Sequence, residues 1–204
     1  MTGVKRESRL RAAERRGFTL VEILVVLAVF TVMSLSVTAI SINYTRLHRR
    51  TANAERLGED LRYAIELIVR LARNRRIDYP PLPASLGAKT SALPLIDADG
   101  GRLIIQMLPN TDAACVGLNA NCLVVTQPLT GVSTAITGKN VHVTRFDVYA
   151  SPTASPFEMV AGAYNNNTQP RVTFVIDATY VTTSTKESAS MGIQTTVGSR
   201  VYVR

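Results

Sequence analysis

Phe18 to Ile42 is a single apolar run of 25 residues, broken by one ionisable side chain, Glu22, and preceded by a basic stretch that ends in Gly17. No other feature limits the fold as much. A run of that length spans a bilayer core about 30 Å thick, with some tilt. A carboxylate at bilayer depth costs roughly 2.5–3.5 kcal/mol on insertion scales, so Glu22 requires a partner and a purpose. The run is too long for the core of a secretory signal, which has roughly 7–15 residues and closes on a small-residue cleavage site. Its own end, Ser41-Ile42-Asn43-Tyr44-Thr45-Arg46, offers no Ala-x-Ala. A plain signal anchor accounts for the length, but leaves Gly17-Phe18 at the boundary and Glu22 unexplained.

Lysine and arginine set the direction of insertion. Residues 1–17 carry six basic side chains against Glu7 and Glu14, and Arg46, Arg49, Arg50 and Arg56 follow the run. The positive-inside rule then keeps the N-terminus in the cytoplasm and puts everything after Asn43 in the periplasm or exterior. The formal net charge of +8 suggests a nucleic-acid partner, but its distribution argues against one. Residues 43–76 hold nine arginines against four acidic residues, whereas residues 77–204 balance eight basic against eight acidic. Basic charge beside a membrane span meets lipid headgroups or neighbouring subunits first.

The stretch Arg15-Arg16-Gly17-Phe18-Thr19-Leu20-Val21-Glu22, with the apolar run behind it, resembles the class III signal of type IV pilin-like proteins, the family of pilins and type II secretion pseudopilins. The resemblance is specific over residues 15–42 and architectural beyond them. It implies cleavage after Gly17 by a membrane prepilin peptidase that is also the N-methyltransferase. It further implies N-methylation of the new terminus, Phe18, and pairing of Glu22 with a neighbouring subunit's terminal amine. The implied partners are other pilin or pseudopilin subunits, an inner-membrane assembly platform and membrane lipid. A typical pilin has proline at the twenty-second mature residue; this chain has Ala39 there, so local melting of the helix is not expected.

From Phe18 to about Asn74 nothing stops a helix except Gly58, a tolerated weak point. Past the span, Leu47, Ala54, Leu61 and Ile68 recur every seven residues, with Leu57, Ala64 and Leu71 three further on and Ile65 and Ala72 widening the stripe. That pattern predicts an amphipathic helix with one core-facing side. The prolines of Asp78-Tyr79-Pro80-Pro81-Leu82-Pro83 are expected to end it. About 57 residues at about 1.5 Å each make a rod on the order of 85 Å.

The remainder reads as β-structure. Strands are expected at 102–108, 122–126, 140–150 (with a bulge where the alternation slips at Arg145), 171–178 and 193–203, forming an antiparallel sheet. Residues 151–156 and 161–170 are expected to be loops. Cys115 and Cys122 face an oxidising compartment, which favours a disulfide, and Gly117, Asn119 and Asn121 suit the short loop between them. Zinc would need more nitrogen or sulfur ligands, and His142 is the one histidine after residue 76. The expected class is α+β, a long N-terminal helix packed on an antiparallel β head. Its parts are a cleaved leader (1–17), a transmembrane or filament-core half-helix (18–42), an amphipathic half-helix (43–76) and the head (77–204).

Catalytic chemistry is missing from the pattern: there is no Gly-x-Ser-x-Gly, no phosphate-binding loop and no His-Glu-x-x-His. Neither a cofactor nor a metal is expected. Asp97-Ala98-Asp99-Gly100-Gly101 has the outline of a calcium loop, but Leu108 stands where the bidentate Glu belongs, so a hairpin turn is expected instead. The chain is read as a substrate rather than an enzyme. The expected role is a structural subunit of a type IV pilus or type II secretion-like pseudopilus, inserted in the inner membrane. Its 55–74 segment and final strand are similar to minor components such as J-type pseudopilins. Two alternatives stand beside it. One is a DNA-uptake pilin using Arg49, Arg50, Arg73, Arg75 and Arg76 on phosphates; the other is a singly anchored envelope protein of different function.

Overall fold

The computed structural model describes residues 17–79, 82, 89–115, 120–160, 162–164 and 168–200. Expectations for the leader up to residue 16, the prolines at 80, 81 and 83, the loop residues Gly117 and Asn119, the asparagines at 165–167 and the end of the last strand lie outside the described residues. Two compact units are present, Met1–Thr45 and Arg46–Arg204. Helix α1, Leu20–Asn74, contributes to both.

In the second unit, α1 buries Asn53, Leu57, Leu61, Ala64, Ile68 and Ala72. These fall into pairs eleven apart: 53 with 64, 57 with 68 and 61 with 72. The seven-residue stripe holds for Leu57 with Ala64 and for Leu61 with Ile68, and fails at Leu47. A straight α-helix drifts about 20° per heptad, whereas an eleven-residue spacing follows its own period closely. Three heptads back from Ile68, Leu47 has rotated off the core and is 64% exposed. Ala54, Ile65 and Leu71 are only partly buried.

The helix ends at Asn74, ahead of the proline cluster, because the chain turns there into strand β1 (Arg76–Ile77). One carbonyl of that last turn and one just past it accept bonds from the far end of the chain. The Arg200 N–H donates to the Arg73 carbonyl at 2.9 Å, and the Ser199 hydroxyl to the Arg75 carbonyl at 3.0 Å.

Among the described residues the head contains two main antiparallel sheets and a short two-stranded one rather than a single sheet. The five-stranded sheet runs in chain order through β1, β2 (Ala92–Ile96), β3 (Arg102–Leu108), β4 (Cys122–Gln127) and β5 (Val132–Ala135). The three-stranded sheet has β6 (Val141–Ser151) paired to β9 (Arg171–Tyr180), and β9 to β10 (Ala189–Gly198). A hairpin of β7 (Met159–Val160) and β8 (Ala163–Tyr164) stands between β6 and β9 in the chain, so the expected loop at 161–170 contains a short strand. Paired backbone bonds between Thr90 and Val148, at 2.8 and 3.1 Å, link the segment before β2 to β6.

The expected slip in β6 is present as a register shift between Val143 and Arg145. It keeps Val141 and Val143 before the slip, and Phe146 and Val148 after it, in the core. β9 alternates cleanly, burying Val172, Phe174, Ile176, Ala178 and Tyr180. β10 begins four residues before the expected 193 and stops at Gly198. One continuous core joins the five apolar helix positions from Leu57 to Ala72 to Leu93, Leu95, Leu103, Ile105 and Leu123 of one sheet and to the inner faces of β6 and β9.

Candidate functional site: the start of the N-terminal helix

Gly17, Phe18 and Thr19 have no regular structure, and helix begins at Leu20. Thr19 ends the irregular stretch. Its carbonyl accepts the first helical bond, from the Ile23 N–H at 3.2 Å, and its Oγ1 accepts the Glu22 N–H, also at 3.2 Å. Thr19-Leu20-Val21-Glu22 therefore has the Ser/Thr-x-x-Glu pattern of a capping box, with Glu22 in the third helical position. A carboxylate in the first turn also complements the positive end of the helix dipole. The Thr-x-x-Glu spacing is the sequence signal that marks Thr19 as the cap.

Gly17 has open space around it: a Cβ built there meets no heavy atom within 4 Å. Nothing among the described residues therefore requires glycine at that position.

Residues 17–45 are exposed throughout. The helix is long and apolar enough to cross a membrane by length and composition. Four of its hydroxyls bond within the helix: Thr31 donates to Ala28, Ser36 to Val32, Thr38 to Ser34 and Thr45 to Ser41, all to backbone carbonyls at 2.8–2.9 Å. This internal bonding is what a hydrocarbon environment demands of polar groups, and it leaves Glu22 as the one ionisable side chain in the apolar run.

A family model for the prokaryotic N-terminal methylation motif matches residues 13–38. This is a class III prepilin signal. It covers 26 of 204 residues, so it speaks for the helix start and not for the head. No curated protein and no solved structure matches the chain. The prepilin signal supports a precursor of the pilin or pseudopilin type, consistent with the type IV pilin-like family, processed by a prepilin peptidase and assembled with other such subunits. Together with the apolar helix it fits anchoring in the inner membrane.

The head supplies the remaining expected residues. Cys115 and Cys122 are bonded, with Cα atoms 5.9 Å apart. The bridge packs with Val124 as a small cluster of its own, separate from the main core to which the neighbouring Leu123 belongs. The five arginines of the nucleic-acid alternative are spread along α1 and just past it, from Arg49 to Arg76, and two of them are already engaged. Arg49 reaches Glu187 at 3.3 Å, and Arg75 bonds Asp97 through Nη2 at 3.0 Å and Nε at 3.2 Å. Asp97 opens the expected β2–β3 turn, where Gly100 takes a φ of 79°. Its other oxygen accepts the Ala98 N–H at 2.8 Å, so the side chain is committed to the turn rather than to a cation. Among the described residues no group of three or more His, Cys, Asp or Glu side chains is placed to hold a metal.

Proposed function

We propose that the chain is a structural subunit of a type IV pilus or type II secretion-like pseudopilus. It is cut between Gly17 and Phe18 and methylated on Phe18. It is held in the inner membrane by residues 18–42, with the leader cytoplasmic and residues 43–204 in the periplasm or exterior, and then passed to an assembly platform. The observation that carries this reading is the methylation-motif match lying on an exposed apolar helix with one ionisable side chain in its first turn.

Glu22 supplies the assembly step. Cleavage leaves a positive amine on Phe18, and both charges need a counterpart in an apolar surrounding. Within one helix they stand four residues apart, a pairing worth only tenths of a kcal/mol in exposed helices. Across a stagger of subunits the same attraction acts at lower dielectric, and a wrong register leaves two bare charges. The test is Glu22→Leu. Insertion should persist, since removing a charge favours it. So should cleavage, since the Thr19 cap bonds the backbone N–H of residue 22 and not its side chain, while incorporation into sheared filaments should fall sharply. Filaments with normal content of the Glu22→Leu chain would refute the pairing.

A further inference from the structure

The bond between Gly17 and Phe18 lies between two stretches that favour helix. Upstream, Leu10-Arg11-Ala12-Ala13-Glu14-Arg15-Arg16 consists of strong helix formers; downstream, the chain is helical from Leu20 onward. A helix running through both would draw the Gly17 carbonyl and the Phe18 N–H into its i to i−4 ladder. Hydrolysis needs them free. Water adds to the Gly17 carbonyl carbon, the bond to the Phe18 nitrogen breaks, and the products are a Gly17 carboxylate and a Phe18 amine. The attack geometry requires an open, positioned carbonyl.

Four residues around that bond occupy the positions of a helix start signal. Thr19 stands at the cap, with its Oγ1 on the Glu22 N–H and its carbonyl on the Ile23 N–H. Glu22 stands at the third helical position, completing the box pattern. Phe18 just before the cap and Ile23 at the fourth helical position are the two places of a hydrophobic staple. Gly17, a poor helix former, closes the other side.

We propose that Thr19 is a positioning residue for processing: its hydroxyl starts the helix at Leu20 and so keeps the Gly17–Phe18 bond outside it. This rests on the reading that the chain is cut at that bond. Thr19→Val keeps the shape and β-branching and removes the acceptor. Thr19→Ser and Thr19→Asn keep an N-cap acceptor on different side chains. Full-length precursors in membranes would be incubated with membranes containing the processing peptidase, and initial cleavage rates followed by gel shift. The expected result is a slowing of about five- to tenfold for Thr19→Val, the scale of a lost N-cap, with near wild-type rates for Thr19→Ser and Thr19→Asn. Thr19→Val cut as fast as wild type, or all three variants slowed alike, would overturn the capping role. A wild-type precursor that is not cut at Gly17–Phe18 would overturn the processing reading itself, and this inference with it.

Discussion

Asp60 of the helix lies directly against Gly138 of the segment between β5 and β6: a Cβ at position 138 would fall 2.5 Å from the Asp60 Oδ2. Burial, and then the neighbouring Glu59, push the Asp60 carboxyl above its usual value. The folded state therefore holds this proton more tightly than the unfolded chain. Its contribution to stability is fully present below the unfolded pKa, near 4, and is lost as pH rises through the folded value. Asp60→Asn should raise the melting temperature at neutral pH, with the gain shrinking as pH falls toward about 4. An Asp60→Asn protein that melts lower than wild type at pH 7 would contradict this.

The same contact predicts coupling. Gly138→Ala should destabilise by about 1 kcal/mol, because the carboxylate must move aside for the methyl group. In an Asp60→Ala background the cost should shrink. A double-mutant cycle by urea denaturation would detect the non-additivity expected of touching residues, and strict additivity would count against the contact.

Arg75 and Asp97 give the opposite pH sign. The Ala98 N–H, and then the Arg75 guanidinium, hold the Asp97 carboxyl below its ordinary value. Stability from this group is present above the unfolded pKa and lost as pH falls through the folded one. Because both partners reach solvent, the effect is small and screened. Asp97→Ala should lower the melting temperature at pH 7 more than Arg75→Ala does, since it also removes the acceptor that closes the turn. Equal effects would mean that the ion pair, not the turn, is what Asp97 serves.

The disulfide between Cys115 and Cys122 closes a loop of eight residues, for which chain entropy gives roughly 2–3 kcal/mol. Reduction should lower the melting temperature of the head without unfolding it at ambient temperature, because the bridge sits in a cluster apart from the main core. Loss of far-ultraviolet β signal on mild reduction would show that the bridge holds more than its own corner.

Core truncations separate the two helix periodicities. Leu61→Ala, at a fully buried position, should cost about 2–5 kcal/mol. Leu47→Ala, at the exposed position that the seven-residue pattern placed on the same stripe, should be nearly neutral to the folding of the head. Comparable losses at both sites would put Leu47 on the buried stripe after all.

The parts of the fold that were legible in advance are those with strong local signals. The long helix, the alternation of β9 and the β6 slip at Arg145 follow from periods that one element imposes by itself. β2 was not legible because Pro94 sits inside Ala92–Ile96, and proline in a run argues against a strand. The division into two sheets depends on pairings between segments far apart in the chain, as with Thr90 and Val148, which no local pattern encodes. The helix terminus was assigned to prolines because they are visible breakers; the chain in fact turns at Arg75, held by Ser199 and Arg200 from more than a hundred residues away. At the candidate site the charge on Glu22 is legible because it stands alone in an apolar run, whereas the cap on Thr19 depends on where the helix starts, which the unbroken apolar pattern leaves open.

Intact-mass analysis of the chain purified from the envelope of cells that make it is the most direct test of the proposed processing. The expected mass is that of residues 18–204 with one added methyl group and one disulfide, and fragmentation should place the methyl on the Phe18 nitrogen. A full-length chain, or a terminus anywhere other than Phe18, would contradict the reading of residues 13–38 as a working prepilin signal.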